Sequence, residues 1–191
     1  MWDISTAWSG AMGVIGDLPL FWPAALLVLV LTAALAAPAG RALGTSAWSA
    51  LLLLGSLGVV LAATLTPSTA AFIPVDRPDG CILGQFDIPA LATLLYPNET
   101  SLNVAMFVPL GLACGLLRRW STVAVFSVLA AGLPFGIELT QYAIVGLGRV
   151  CSTADVADNL TGVAMGLLVS IVILRPISSV TSIDAVARGP R

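Results

Sequence analysis

The sequence has no histidine and no lysine, and all eight basic residues are arginine. Without imidazole, zinc or haem ligation by histidine and a histidine general base are excluded. Charge of either sign is scarce: charged residues make up 9% of the 191 positions, where a soluble domain carries about 25%. So few charges cannot cover a water-facing surface, which excludes soluble globular, disordered and fibrous classes. The net charge is −2 with no basic block, which argues against nucleic acid as a partner. Cys81, Cys114 and Cys151 have no C-x-x-C spacing, so neither a metal knuckle nor a thioredoxin-like motif is expected. The opening residues lack a basic n-region, so a cleaved signal peptide is not expected. No internal repeat and no low-complexity tract is visible.

What is present is apolar. Hydrophobic residues make up 58% and the mean hydropathy is +1.01, the composition of an integral membrane protein. A bilayer helix needs about 20 mostly apolar residues, and five stretches qualify. They run over 21–37, 47–65, about 102–117, 122 to about 145, and about 154–174. Pro38 closes the first, Pro67 follows the second, Pro109 and Pro134 kink the third and fourth, and Arg175-Pro176 closes the fifth. The fold class is therefore all-α, a polytopic bundle of five transmembrane helices with a long outer loop between the second and third. Residues 1–20 form an N-terminal segment, 21–175 the membrane domain with its outer loop at 68–101, and 176–191 a solvated tail. Ile4, Trp8, Met12 and Ile15 share one helical face, so the N-terminal segment is either an interfacial helix or a disordered tail.

Arginine placement sets the orientation. Five spans put Arg41, Arg118, Arg119, Arg175, Arg188 and Arg191 on one side and only Arg77 and Arg149 on the other. The N-terminus and the 68–101 loop are accordingly outside and the C-terminus is cytoplasmic. Arginine without lysine in an Ala/Gly-rich chain points to a GC-rich bacterial genome, and so to a bacterial cell membrane. Within 68–101, Asp87-Ile88-Pro89 and the following residues 90–95 read as the start of a short interfacial helix. This topology places Cys81 and Cys151 together on the outer face, where disulfides persist; a bridge is expected, with two free thiols as the alternative. Cys114 falls mid-span and packs as a small apolar residue.

Polar side chains in hydrocarbon are costly unless paired and usually mark function. Here they gather near the outer ends of spans. Asn103 and Phe107 share a face of the third helix, and Glu138 and Gln141 share a face of the fourth. Glu138 has no basic neighbour within a turn, so it pairs with an arginine, binds a cation or stays protonated. Ser152 and Asp155 read as a capping box. Asp155, Asn159, Gly162 and Gly166 form one stripe of the fifth helix with Asp158 on the same side, and the glycines form a close-packing seam. Arg149, in the turn between these helices, holds a phosphate or carboxylate of a ligand, or forms a salt bridge to Glu138 or Asp155.

The motifs Asn103-Val-Ala-Met-Phe107-Val-Pro109-Leu-Gly111, Glu138-Leu-Thr-Gln141, Gly148-Arg149 and Asp155-Val-Ala-Asp158-Asn159-Leu-Thr-Gly162-x-x-x-Gly166, with Thr64-Leu-Thr-Pro67 before them, resemble the VanZ-like membrane proteins. The resemblance covers about residues 50–170. It implies a link to resistance against teicoplanin, a glycopeptide that binds peptidoglycan precursors outside the cell. On this reading an outer-leaflet polar pocket of Asn103, Glu138, Gln141, Arg149, Asp155, Asp158 and Asn159 binds a membrane lipid or a lipid-linked or phosphate-bearing cell-wall precursor. No cofactor is required, although the oxygen ligands could hold a hard divalent cation. Two alternatives stay open. One is an enzyme acting on a lipid carrier with Glu138 or Asp158 as general base. The other is a structural subunit of a membrane complex.

Overall fold

A computed structural model describes residues 16–73, 80–84 and 86–175. The first fifteen residues and the 176–191 tail, on which the interfacial-helix and solvated-tail readings rest, lie outside the described residues. Among the described residues five long helices carry the fold. They are α1 (Phe21–Leu43), α2 (Ala47–Leu65), α3 (Glu99–Gly115), α4 (Trp120–Ala143) and α5 (Thr153–Leu168), the last continuing in wider turns over Val169–Leu174. No strand forms among these residues beyond a single parallel bridge between Ile82 and Ser152.

Four of these helices (α1, α2, α4 and α5 with its extension) are long and apolar enough to cross a membrane. The third expected span forms a helix of 17 residues, so the count of five is not reached on length alone. The helix begins three residues before the expected Leu102 and ends at Gly115, two residues before the expected Leu117. Asn98 opens the helix earlier than hydropathy suggests: its side chain accepts from Ser101 N–H while Ser101 Oγ caps Asn98 N–H.

Helix ends depart from the sequence reading in two further places. Pro38 does not close α1; the helix runs on to Leu43 and stops at Gly44, which adopts φ +62°. Thr45 N–H bonds the Gly40 carbonyl there, satisfying an end group of α1. Pro109 and Pro134 sit inside α3 and α4, where the sequence reading put them, a placement that neighbouring helices permit in membrane bundles. The 68–101 segment is shorter as a loop than expected, because it holds a 3-10 turn at Thr69–Ala71, one helical turn at Leu91–Leu94, and the first residues of α3.

The core centres on α3, whose Phe107, Leu110 and Ala113 are buried with Val60 of α2, Ile137 of α4 and Val163 of α5. α3 and α5 run parallel: Asn103 meets Asp155 near their first turns and Gly115 meets Ser170 near their last. Their backbones all but touch. A Cβ on Gly162 or Gly166 would overlap the Val104 or Val108 carbonyl, and one on Gly111 would overlap the Val163 carbonyl. α4 returns the chain between them. The starts of α1, α3 and α5 and the ends of α2 and α4 therefore share one end of the bundle. The Gly40–Ser46 corner and the Leu116–Trp120 turn share the other.

Candidate functional site

The site is assembled at the first of these ends, and the loop is bonded to it. A Cys81–Cys151 disulfide, with Cα atoms 4.6 Å apart, ties the 68–101 segment to the residue before the cap of α5. Ile82 N–H donates to the Cys151 carbonyl at 2.8 Å and Thr153 N–H to the Ile82 carbonyl at 3.1 Å. Gly84 N–H bonds Thr153 Oγ1 at 3.0 Å. The disulfide, one parallel bridge and a bond to the Thr153 hydroxyl thus fix the turn that carries Arg149.

Proline chemistry explains what Arg149 does in that turn. The last four carbonyls of a helix have no partner within it. Pro67 has no N–H to offer the Ala63 carbonyl, and Ser68 N–H is drawn away to Leu147. Arg149 Nη2 donates to Ala63 O at 2.6 Å and Gln141 Nε2 to Thr64 O at 3.0 Å, while Thr66 Oγ1 serves Ala62 O. The guanidinium is also a positive charge at the negative end of the α2 dipole. Gly148, at φ +67°, brings the turn in; a Cβ there would overlap Ser68 Oγ and Ala71 N. Ser68 Oγ donates to the Gly148 carbonyl at 2.7 Å.

The carboxylates are arranged around this arginine without ion-pairing to it. Glu138 Oε2 accepts from Ser152 N–H at 2.7 Å, and Asp155 Oδ1 accepts from Asn103 Nδ2 at 3.1 Å. Asp158, buried, takes a side-chain hydrogen bond from Thr100. Burial pushes the Arg149 guanidinium below its ordinary value, and the fields of Asp155, Asp17 and Glu138 push it back up. Among the described residues two buried side-chain polar atoms have no hydrogen-bond partner: Arg149 Nε and Asn159 Oδ1, the latter on a side chain only 2% exposed.

The structure thus brings Asn103, Glu138, Arg149 and Asp155 into one cluster, with Asp158 beside Asp155. Gln141 points to the α2 terminus, one step from the carboxylates. Asn159 lies a turn deeper on the α5 face that meets α3. The expected Ser152–Asp155 capping box is only half present. Ser152 caps α5 by accepting from Ala154 N–H at 3.2 Å, but its own N–H is met by Glu138 from α4 rather than by Asp155. That exchange frees Asp155 for Asn103. Arg149 likewise goes to a main-chain carbonyl in place of a salt bridge to Glu138 or Asp155. Thr100 and the Ala63 and Thr64 carbonyls were not singled out from the sequence; Pro67 was their signal, since a proline just past a helix end orphans a carbonyl. Among the described residues no group of three or more Asp, Glu or Cys side chains is disposed to hold a metal ion. Cys114 is buried as an apolar residue against the Phe126 carbonyl.

The VanZ/LLP1 family model matches residues 83–175, which takes in α3, α4 and α5 with Asn103, Glu138, Gln141, Arg149, Asp155, Asp158 and Asn159. No curated protein and no solved structure matches the chain. The family match over these residues, together with the apolar helices, supports a VanZ-like, multi-pass membrane protein.

Proposed function

We propose that the polar cluster is an outer-leaflet binding site for a lipid-linked or phosphate-bearing cell-envelope molecule. The observation that carries this reading is the pair of orphaned atoms. A buried N–H or carbonyl with no partner costs about 1–3 kcal/mol, and a ligand group that reached either atom would recover that cost. Arg149 Nε offers the cationic donor to a phosphate or carboxylate oxygen. The surrounding acids set the rest of the ligand. Asp17, Glu99, Glu138, Asp155 and Asp158 all lie in the field of Arg149 or of its neighbour Asp155, so a bare polyanion is repelled. A molecule with hydroxyl or amide donors beside one anionic group, such as a glycosylated or peptidyl lipid carrier, suits both signs.

In this reading α3 crosses the membrane as the fifth span. It runs parallel to α5 over its whole length, and its 17 residues rise about 25 Å. Five crossings put the disulfide and the polar cluster outside and Arg41, Arg118, Arg119 and Arg175 at the cytoplasmic end. The disulfide supports that orientation, since such bonds persist in oxidising compartments. Sequestering a cell-wall precursor on this face would link the protein to glycopeptide resistance.

The test is co-purification. Wild-type protein extracted with native lipid should carry an undecaprenyl-linked species, identified by mass spectrometry. Arg149→Lys keeps a donor for Ala63 but loses the planar guanidinium, and retention should drop about 10-fold or more, the worth of a charge-assisted hydrogen bond. Equal retention by the variant at normal membrane abundance would refute the site and leave the cluster as interhelical bonding alone.

A further inference from the structure

The turn that carries Arg149 is held from two sides. On one side, Ser68 N–H bonds the Leu147 carbonyl at 2.9 Å and Ser68 Oγ the Gly148 carbonyl at 2.7 Å, while Arg149 itself reaches Ala63 O. On the other side stands the short stretch 81–84. Cys81 is bonded to Cys151, Ile82 makes backbone hydrogen bonds with Cys151 and Thr153, and Gly84 meets Thr153 Oγ1. These bonds all land on three consecutive residues, Cys151, Ser152 and Thr153, or on the bridge between them.

The same three residues anchor the polar cluster. Arg149 lies two positions before Cys151. Ser152, the next residue, gives its N–H to Glu138 at 2.7 Å and caps α5 with its hydroxyl. A shift at Cys151 is therefore passed to the guanidinium on one side and to the Glu138 carboxylate on the other. The covalent and non-covalent parts of this attachment differ in weight. A backbone hydrogen bond contributes about 0.5–1.5 kcal/mol net, and here the bonds form one isolated bridge rather than a ladder. Ile82 and Leu83 are 50% and 83% exposed, so apolar burial adds little. The disulfide is what keeps 81–84 in register. The bundle beneath has its own attachment, because α3 and α5 meet through their glycines. Breaking the bond thus loosens the turn before it loosens the helices.

We infer that the Cys81–Cys151 pair is a redox-operated clamp on the Arg149 turn, opened by a dithiol and closed again by the corresponding disulfide. Cys81 is half-buried and Cys151 is 7% exposed, so the attack falls on Cys81 Sγ. The S–S bond breaks, and Cys151 leaves as a thiolate and takes up a proton. The second thiol of the dithiol then displaces Cys81 from the mixed disulfide. The dithiol ends oxidised to a disulfide and both cysteines end as thiols. Arg149 and the Ser152 N–H lose their fixed placement. That the clamp governs ligand retention rests on the binding reading above; the clamp itself does not.

Amide hydrogen exchange of the full chain in detergent, below its melting temperature, tests it with dithiothreitol as the dithiol. Reduction should speed exchange over 145–155 by about 10-fold, the weight of one net hydrogen bond. Exchange over 104–111, in the α3–α5 seam, should stay as it was, and oxidised glutathione should reverse the change. The Cys81→Ser and Cys151→Ser pair should exchange like the reduced protein and ignore dithiothreitol. Unchanged exchange over 145–155 would overturn the clamp. Equal acceleration along α3 and α5 would overturn it too, since the bond would then belong to the fold as a whole. Lipid content is read on the same samples and should fall on reduction and recover on oxidation. Lipid held alike by both forms would overturn the control of retention. Oxidised protein without lipid would refute the binding site, and exchange would still decide the clamp.

Discussion

Asn159 is the residue at which folding and function pull apart. Its side chain is buried on the α5 face that meets α3 with Oδ1 unpartnered, which is a cost to folding. Replacing it with leucine, of similar size and with nothing to satisfy, should leave the thermal midpoint unchanged or raise stability by about 1 kcal/mol. The same change should lower retention of the co-purified envelope lipid; a melt in detergent and a lipid extraction read the two effects separately. If Asn159 serves packing only, the substitution will leave lipid content untouched. The residues of this cluster were legible as polar groups in apolar runs, since few other positions in the helices carry such side chains. Their partners were not legible. Spacing puts Glu138 and Gln141 on one face, but that Glu138 meets Ser152 N–H and Gln141 meets Thr64 O depends on how α4 leans on α5 and α2. Arg149 shows the same limit. A carboxylate partner looks natural in sequence, yet the nearest unmet need is the Ala63 carbonyl left by Pro67.

At the scale of helices, the α3–α5 pair is set by glycine. Gly111, Gly162 and Gly166 allow backbones to approach until a single Cβ overlaps a facing carbonyl. Gly162→Ala should therefore destabilise the fold by about 1–3 kcal/mol or more, the range for overpacking a tight interface. Thermal inactivation in detergent would measure it. Gly132→Ala, where a Cβ meets nothing within 4 Å, should be neutral. The Gly162/Gly166 spacing was readable in advance as a seam; that its partner is α3, in parallel, was not, because parallel neighbours are distant in sequence. Helix boundaries followed the same division. Hydropathy located every helix, whereas the ends are decided by local bonding: Asn98 with Ser101 at the start of α3, and Gly44 rather than Pro38 at the end of α1.

For the whole molecule, the disulfide closes a loop of sequence separation 70. Chain-entropy arguments give about 4 kcal/mol for a loop of that size. Reduction, or the Cys81→Ser and Cys151→Ser pair, should lower stability by that order, measured as a fall in the thermal midpoint. Cys114, buried, will not substitute for either. The overall plan, an all-helical membrane chain with a bonded loop, was present in composition and cysteine placement; α3 was the element whose start and end hydropathy alone misplaced, by three residues and two. The bond also carries a timing consequence. Cys81 and Cys151 lie on either side of α3 and α4 in the chain, so the covalent ring encloses that whole hairpin. Oxidation is thus available to a nascent chain only once both of those helices have packed side by side.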